Sequence, residues 1–184
     1  MITNGRIGLR AVEKQDLTQL KEWRNNSDFR KYFREIRELN DTNQERWFEN
    51  LNQDSNSYFF SIVSLDTGNL IGAGGLLYIN WVIKSADFSF YIGDSNEYVS
   101  NSERCIDAIS AILEYGFGTL GLNKVWMELY ENDDRKLKLF KDSFHFSIDG
   151  VLRDNWFENG FRNSFLLTLL SKEYISQTAT PNPR

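Results

Sequence analysis

Apolar and polar residues change their period several times along the chain, and each change predicts an element. Ile7-Gly8-Leu9-Arg10 alternates with period two and predicts a strand. Leu17, Leu20 and Trp23 then recur at helical spacing behind Asp16, a favoured N-cap residue. Charged and aromatic residues crowd positions 28–38, and a second helical stretch at 42–51 carries Trp47 and Phe48. Positions 58–63 and 69–79 are β-rich and are separated by Asp66-Thr67-Gly68, a turn of hairpin composition. Gly72, Gly74 and Gly75 interrupt the second run with no helix start behind them, which fits a bulge or a close backbone contact better than a phosphate cradle.

Farther along, Ala86, Phe88, Phe90 and Ile92 alternate with Asp87, Ser89 and Tyr91, a strand with two chemically different faces. Cys105, Ala108, Ile109, Ile112, Leu113 and Tyr115 form one stripe of a helix that closes near 116–121, and Val125, Met127 and Leu129 alternate after it. A strand, a helix and a strand in that order predict a parallel crossover. Leu137, Phe140 and Phe144 mark a helix from about Asp133, and Asn159-Gly160 is the turn of a closing hairpin whose return strand is 161–170. The tail at 177–184 is polar, holds both prolines and is expected to be disordered, which leaves 1–176 as a single domain.

Composition narrows the function. With 184 residues, 41% hydrophobic and 15% aromatic, the chain can bury a full core. Twenty-one basic against 26 acidic residues give a net charge of -5, which argues against a nucleic-acid partner and suits a cationic amine better. Cys105 and His145 are the only Cys and His, too few for a structural zinc site, so no metal is expected. No apolar run approaches the roughly 20 residues of a membrane span, so a cytoplasmic protein without a membrane partner is expected.

Three stretches carry a family resemblance: Leu9-Arg10, Asp16-Leu17, Leu20 and Trp23-Arg24-Asn25; the section 86–130 with Ile92-Gly93-Asp94; and 146–170 with Ser164-Phe165-Leu166-Leu167. Together they resemble the Rim-type branch of the GNAT N-acetyltransferases. The resemblance implies an α/β (α+β) fold, a mixed, mostly antiparallel sheet of about six or seven strands with helices on both faces and a splayed pair of parallel central strands. It also implies transfer of an acetyl group from the co-substrate acetyl-CoA to a primary amine of a small molecule or a protein N-terminus. Exposed strands and aromatic surface leave room for a homodimer. The other function class that fits is a GNAT-fold binding or regulatory protein that has lost acetyl-CoA chemistry.

The resemblance also carries over site residues. Backbone at Tyr91 and Ile92, the loop Tyr98, Val99, Ser100, Asn101, Ser102 and Arg104, and then Asn132 and Phe140 fall where the family binds the cofactor. That loop is glycine-rich in the family, and here Asn101, Glu103 and Cys105 stand at its small positions. Ser100 and Glu103 have the spacing of a capping box, which would set a carboxylate at the pyrophosphate site. Phe140 stands where many members carry a Tyr that protonates the leaving thiolate, and His145 is the nearest alternative acid. Asp87 is the candidate proton acceptor, or else a cross-strand partner of a cation. Phe33, Arg34, Trp156 and Phe157 would frame the acceptor, and Arg30, Arg34 and Arg37 either grip a phosphate or carboxylate on it or form a solvated helix face.

Overall fold

The structure, a computed structural model, describes residues 1–179. In chain order the elements are β1 (Ile2–Asn4), β2 (Ile7–Ala11), α1 (Leu17–Asn25), α2 (Ser27–Arg30), α3 (Asp41–Gln53), β3 (Tyr58–Ser64), β4 (Leu70–Asn80), β5 (Ser85–Ile92), α4 (Glu103–Glu114), β6 (Lys124–Tyr130), α5 (Asp134–Asp142), β7 (Ser147–Phe157), β8 (Phe161–Leu170) and α6 (Ser171–Ala179). Eight strands hydrogen-bond in the order β1-β2-β3-β4-β5-β6-β8-β7. This is slightly more than the sequence predicts, because β1 has three residues and is too short to show a period. Neighbours pair antiparallel except β5 and β6, which run parallel through Ser85–Asp87 and Lys124–Trp126. No helix among the described residues is long and apolar enough to cross a membrane.

Two compact units divide the chain. The first comprises Met1–Leu77 and Ser89–Ile112. Its core gathers Ile7, Leu9, Leu20, Phe29, Ile62 and Tyr98, all within 1% of full burial. A Cβ on Gly72 would lie 2.4 Å from the Tyr91 carbonyl, and one on Gly75 would lie 2.1 Å from the Tyr58 carbonyl, so these glycines serve close strand approach, as their setting predicts. Asp16 does not cap α1. Its carboxylate accepts two hydrogen bonds from Arg10 at 2.6 and 2.8 Å, one from Ser61 Oγ at 2.7 Å and one from the Glu13 N–H at 2.9 Å, tying the start of α1 to β2 and β3. α3 starts at a reciprocal box instead: Asn40 accepts from the Asn43 N–H at 2.8 Å, and the Asn43 side chain accepts from the Asn40 N–H at 3.2 Å.

The second unit comprises Tyr78–Phe88 and the chain from Leu113 onward. Val125, Met127, Leu129, Leu167 and Leu169 bury one face of the β6–β8 pair, as the alternation predicts. Phe140 is fully buried, with Phe88 at 5.3 Å, Phe146 at 5.2 Å and Phe144 at 5.7 Å around its ring. α5 is capped by Asp133, whose side chain accepts from the Lys136 N–H, so the helix starts one residue later than the period predicts. The β4–β5 turn leaves Tyr78, Trp81, Val82 and Ile83 exposed, Val82 to 93%. Of the tail expected to be disordered, 177–179 continue α6, and 180–184 lie outside the described residues.

Candidate active site

A cavity of about 360 Å³ opens in the first unit, walled by α1, α3, β3 and β5. Trp47 on α3 and Phe59 on β3 meet edge to face at 5.6 Å and form part of its wall, while Ser89 and Tyr91 reach it from β5. Burial holds the Tyr91 hydroxyl protonated far above its ordinary range, so this end of the cavity is polar but neutral.

The charges in the cavity come from one acid and three arginines: Glu35, Arg24, Arg37 and Arg46. Glu35 and Arg37 bind one another, the Arg37 guanidinium donating to the carboxylate at 2.9 and 2.5 Å and the Arg37 N–H at 3.0 Å. That pairing holds the Glu35 carboxyl down to about 2. Arg24 comes from the last turn of α1 and lies 4.0 Å above the Phe33 ring. Its Nε is shut off from solvent and makes no hydrogen bond. Burial lowers its pKa against the pull of Tyr91 and Glu35.

The segment after β5 is organised by a residue that the family pattern does not point to. Ile92 and Tyr98 exchange backbone hydrogen bonds at 2.8 Å in both directions and close a tight loop around Ser95 and Asn96. Ser95, Asn96 and Tyr98 hold φ of 55°, 56° and 60°, left-handed conformations that cost about 1 kcal/mol or more at Ser95 and Tyr98 and have to be held by other contacts. Glu97 supplies some of them. Its carboxylate accepts from the hydroxyls of Ser100 and Ser102 and from Arg104 Nε at 2.7 Å, while Arg104 also donates to Asp94 at 2.6 Å. Burial pushes the Glu97 carboxyl up, but the two hydroxyls and Arg104 outweigh it and hold it below the usual carboxylate range. The residue that starts α4 is Ser102, whose backbone carbonyl accepts from Cys105 at 3.1 Å and whose hydroxyl accepts at 3.3 Å. The expected Ser100–Glu103 capping box is therefore absent: Ser100 turns back to Glu97, and Glu103 is exposed.

In the second unit, Asn132 Nδ2 donates to Glu158 at 3.0 Å, while Asn132 Oδ1 is buried without a partner. Trp156 stacks on Tyr130 at 4.7 Å, and its Nε1 is likewise buried and unbonded. Two unsatisfied buried polar atoms on neighbouring stretches mark this as a second candidate region.

The sequence-predicted residues thus divide. Tyr91 lines the cavity, and Ser100, Ser102 and Arg104 converge on one carboxylate. Phe33 is 8% exposed and supports Arg24. Tyr98, Val99, Ile92 and Phe140 have side chains in the core, at most 2% exposed, and offer no side-chain surface to a ligand. Tyr98 stacks between Phe29 and Tyr32, each 5.2 Å away. Asp87 is buried on β5 opposite Trp126 of the parallel partner. Asn101, Arg34, His145 and Phe157 are exposed, His145 in a left-handed turn with φ 54° and Phe157 against Phe161 at the hairpin end. Sequence reasoning missed Glu97 and Glu158. Only the spacing of Glu97 to Ser100 and Ser102 offered any signal.

The sequence model of the acetyltransferase (GNAT) domain matches residues 6–143. The chain is similar to the spermidine N(1)-acetyltransferase of Escherichia coli (strain K12), 25% identical over 177 residues that cover 95% of this chain and 91% of that protein. Among solved structures it resembles spermidine N-acetyltransferase from Vibrio cholerae in complex with CoA and spermine, with TM-score 0.83, 25% identity and coverage of 94% of this chain and 99% of that one. A dodecameric spermidine N-acetyltransferase from Vibrio cholerae, 23% identical and covering 95% and 99% of the two chains, shares the fold with TM-score 0.75. The chain belongs to the GNAT acetyltransferase family.

Proposed function

We propose that this GNAT acetyltransferase moves an acetyl group from acetyl-CoA to the primary amine of a small molecule, and that residues 1–176 act as one catalytic domain of the Rim-type branch in the cytoplasm. The observation that carries the acceptor side is the cavity reached by Ser89 and Tyr91 of β5, the strand whose backbone the family sets against the thioester.

The loop residues fit the co-substrate's phosphates by their chemistry. Two hydroxyls and a guanidinium at the start of a 12-residue helix already converge on an anion, the Glu97 carboxylate. Ser100, Ser102 and Arg104 would hold the pyrophosphate once Glu97 withdraws. Bound acetyl-CoA supplies the acetyl group as a thioester. The acceptor's neutral amine attacks the thioester carbonyl carbon, the C–S bond breaks, and the amine proton and the thiolate are both resolved by proton transfer. Asp87 is the candidate base on β5. Phe140 has no acid to offer and no route to one, so the thiolate leaves with solvent or acceptor as proton source.

Release of free CoA thiol from acetyl-CoA in the presence of a mixed amine panel tests the assignment, together with a rise in Tm on adding acetyl-CoA. A ligand at 100 times its Kd adds about 2.7 kcal/mol, enough to read in a small domain. No shift and no thiol release would support the binding-protein alternative. We also read the exposed Tyr78, Trp81, Val82 and Ile83 turn as a surface for self-association, which sedimentation of Val82→Glu against wild type decides.

A further inference from the structure

The cavity's charge is opposite in sign to the net charge of the chain. The whole protein carries -5, yet within the cavity three arginines face a single carboxylate, and Arg37 already occupies that one. Among the described residues Arg24 and Arg46 have no salt bridge, and Arg24 Nε is a buried donor with nothing to donate to. A polyamine brings two or more ammonium groups and would have to place at least one beside these guanidinium groups with no free acid to receive it. A guanidinium instead matches a carboxylate or phosphate in shape and charge, and this match strengthens where water is excluded.

We propose that the acceptor is a primary amine that also carries an oxyanion, a carboxylate or a phosphate, with Arg24 as its anchor and Arg46 as a second contact at the mouth. This rests on reading the same cavity as the acceptor site. Arg24 is aimed by Phe33, whose ring lies beneath the guanidinium at 4.0 Å, and the Trp47 and Phe59 walls leave the acceptor's carbon skeleton an apolar bed. Ser89 and Tyr91, uncharged, stand on β5, so an acceptor held by its anion at Arg24 can present a neutral amine toward that strand.

Calorimetric titration of the full chain with two matched pairs decides the matter: O-phosphoethanolamine against ethanolamine, and phenylalanine against 2-phenylethylamine, with spermidine as reference. The expected result, at about 0.15 M salt, is that the anionic member of at least one pair binds about tenfold or more tighter than its neutral partner and tighter than spermidine. Which pair responds separates phosphate from carboxylate. Arg24→Met and Arg46→Ala should each lower that ratio about fivefold or more, and Arg46→Ala, on an exposed position, keeps the test open if Arg24→Met fails to fold. Spermidine binding tighter than both anionic amines, equal binding within both pairs, or no binding of either anionic amine at about 10 mM overturns the proposal. Thiol release measured on the same panel keeps the two readings apart. Selective binding without release from any amine upholds the anion site and fails acetyl transfer, whereas release with spermidine alone upholds acetyl transfer and overturns the anion site.

Discussion

Arg104 and Arg24 are two partly buried cations of one compact unit in opposite electrostatic situations. Arg104 donates to Asp94 at 2.6 Å and to Glu97 at 2.7 Å, and Glu97 also gathers two serine hydroxyls. Arg24 has an aromatic ring below it, an unbonded Nε and an open cavity beside it. The loop that we propose for the pyrophosphate has supplied its own anion. The cavity proposed for the acceptor amine holds a cation without a salt bridge. Charge at the level of the whole chain predicts neither, because local desolvation and pairing decide what a site attracts.

The largest test of that contrast uses a third, fully compensated arginine. The Asp16 side chain is 5% exposed and depends on Arg10. Arg10→Ala should therefore cost about 3–5 kcal/mol in urea unfolding, because it leaves a buried carboxylate uncompensated. Burial pushes the Asp16 carboxyl up, but Arg10, the Glu13 N–H and Ser61 together hold it below its ordinary value. A depressed folded pKa stabilises the protein above the unfolded value of about 3.9, and that contribution is lost as pH falls through the folded value. Wild type and Arg10→Ala should hence converge in stability below about pH 4. A constant gap down to pH 2 would mean that Arg10 acts by packing.

A smaller effect is expected where a polar atom is added without a partner. Phe140→Tyr restores the hydroxyl that many family members have, but the ring is fully buried among Phe88, Phe144 and Phe146. A buried hydroxyl without a hydrogen bond costs about 1–3 kcal/mol, so thermal unfolding should show a clear loss with no gain in turnover. A variant of unchanged stability and faster turnover would show that the box opens toward the leaving thiol.

Next in size is the loop itself. Glu97→Gln keeps an acceptor for Ser100 and Ser102 but removes the charge that a pyrophosphate must displace. Like charges a few Å apart cost about 1–4 kcal/mol at surface-site dielectric, so acetyl-CoA should bind about tenfold tighter by calorimetry. Glu103→Gly should change affinity little, since that side chain is exposed and outside the cluster. A reversed order, with Glu103 dominant, would return the intruding carboxylate to the position the spacing first suggested.

What could be read in the sequence follows the range of the forces involved. Strands β2 to β6 and β8 and helices α1, α3, α4 and α5 are legible from period and turn residues, because burial of one face imposes a repeat, and β7 follows from the hairpin turn at Asn159-Gly160. β1 and the true cap of α5 are missed, being decided by three residues and by a one-residue shift. At the site, the cluster Ser100, Ser102 and Arg104 is legible as anion-binding chemistry. That Glu97 already sits on it is not, since the contact requires the positive-φ turn at Ser95, Asn96 and Tyr98, and of these only Asn96 has a propensity for that conformation. Likewise Trp23-Arg24-Asn25 stands out as a helix motif, but whether Arg24 finds a counter-charge depends on Glu35 choosing Arg37 across two residues of irregular chain.

The smallest expected effect is therefore on Arg24 itself, and it is the sharpest. Arg24→Met keeps an apolar stem of similar length and removes the guanidinium. The loss is a cation–π contact with Phe33 worth about 0.5–2 kcal/mol. The gain is relief from a desolvated charge with no ion-pair partner, of comparable or larger size after relaxation. The two nearly cancel, so the urea midpoint should stay within about 1 kcal/mol of wild type or rise slightly, against the several kcal/mol lost in Arg10→Ala. Equal losses in the two variants would mean that Arg24 is compensated within the fold as Arg10 is, and its positive charge would then not be free to hold a ligand's anion. A neutral or stabilising result would mean that folding does not need the guanidinium, which leaves the ligand as the group it serves.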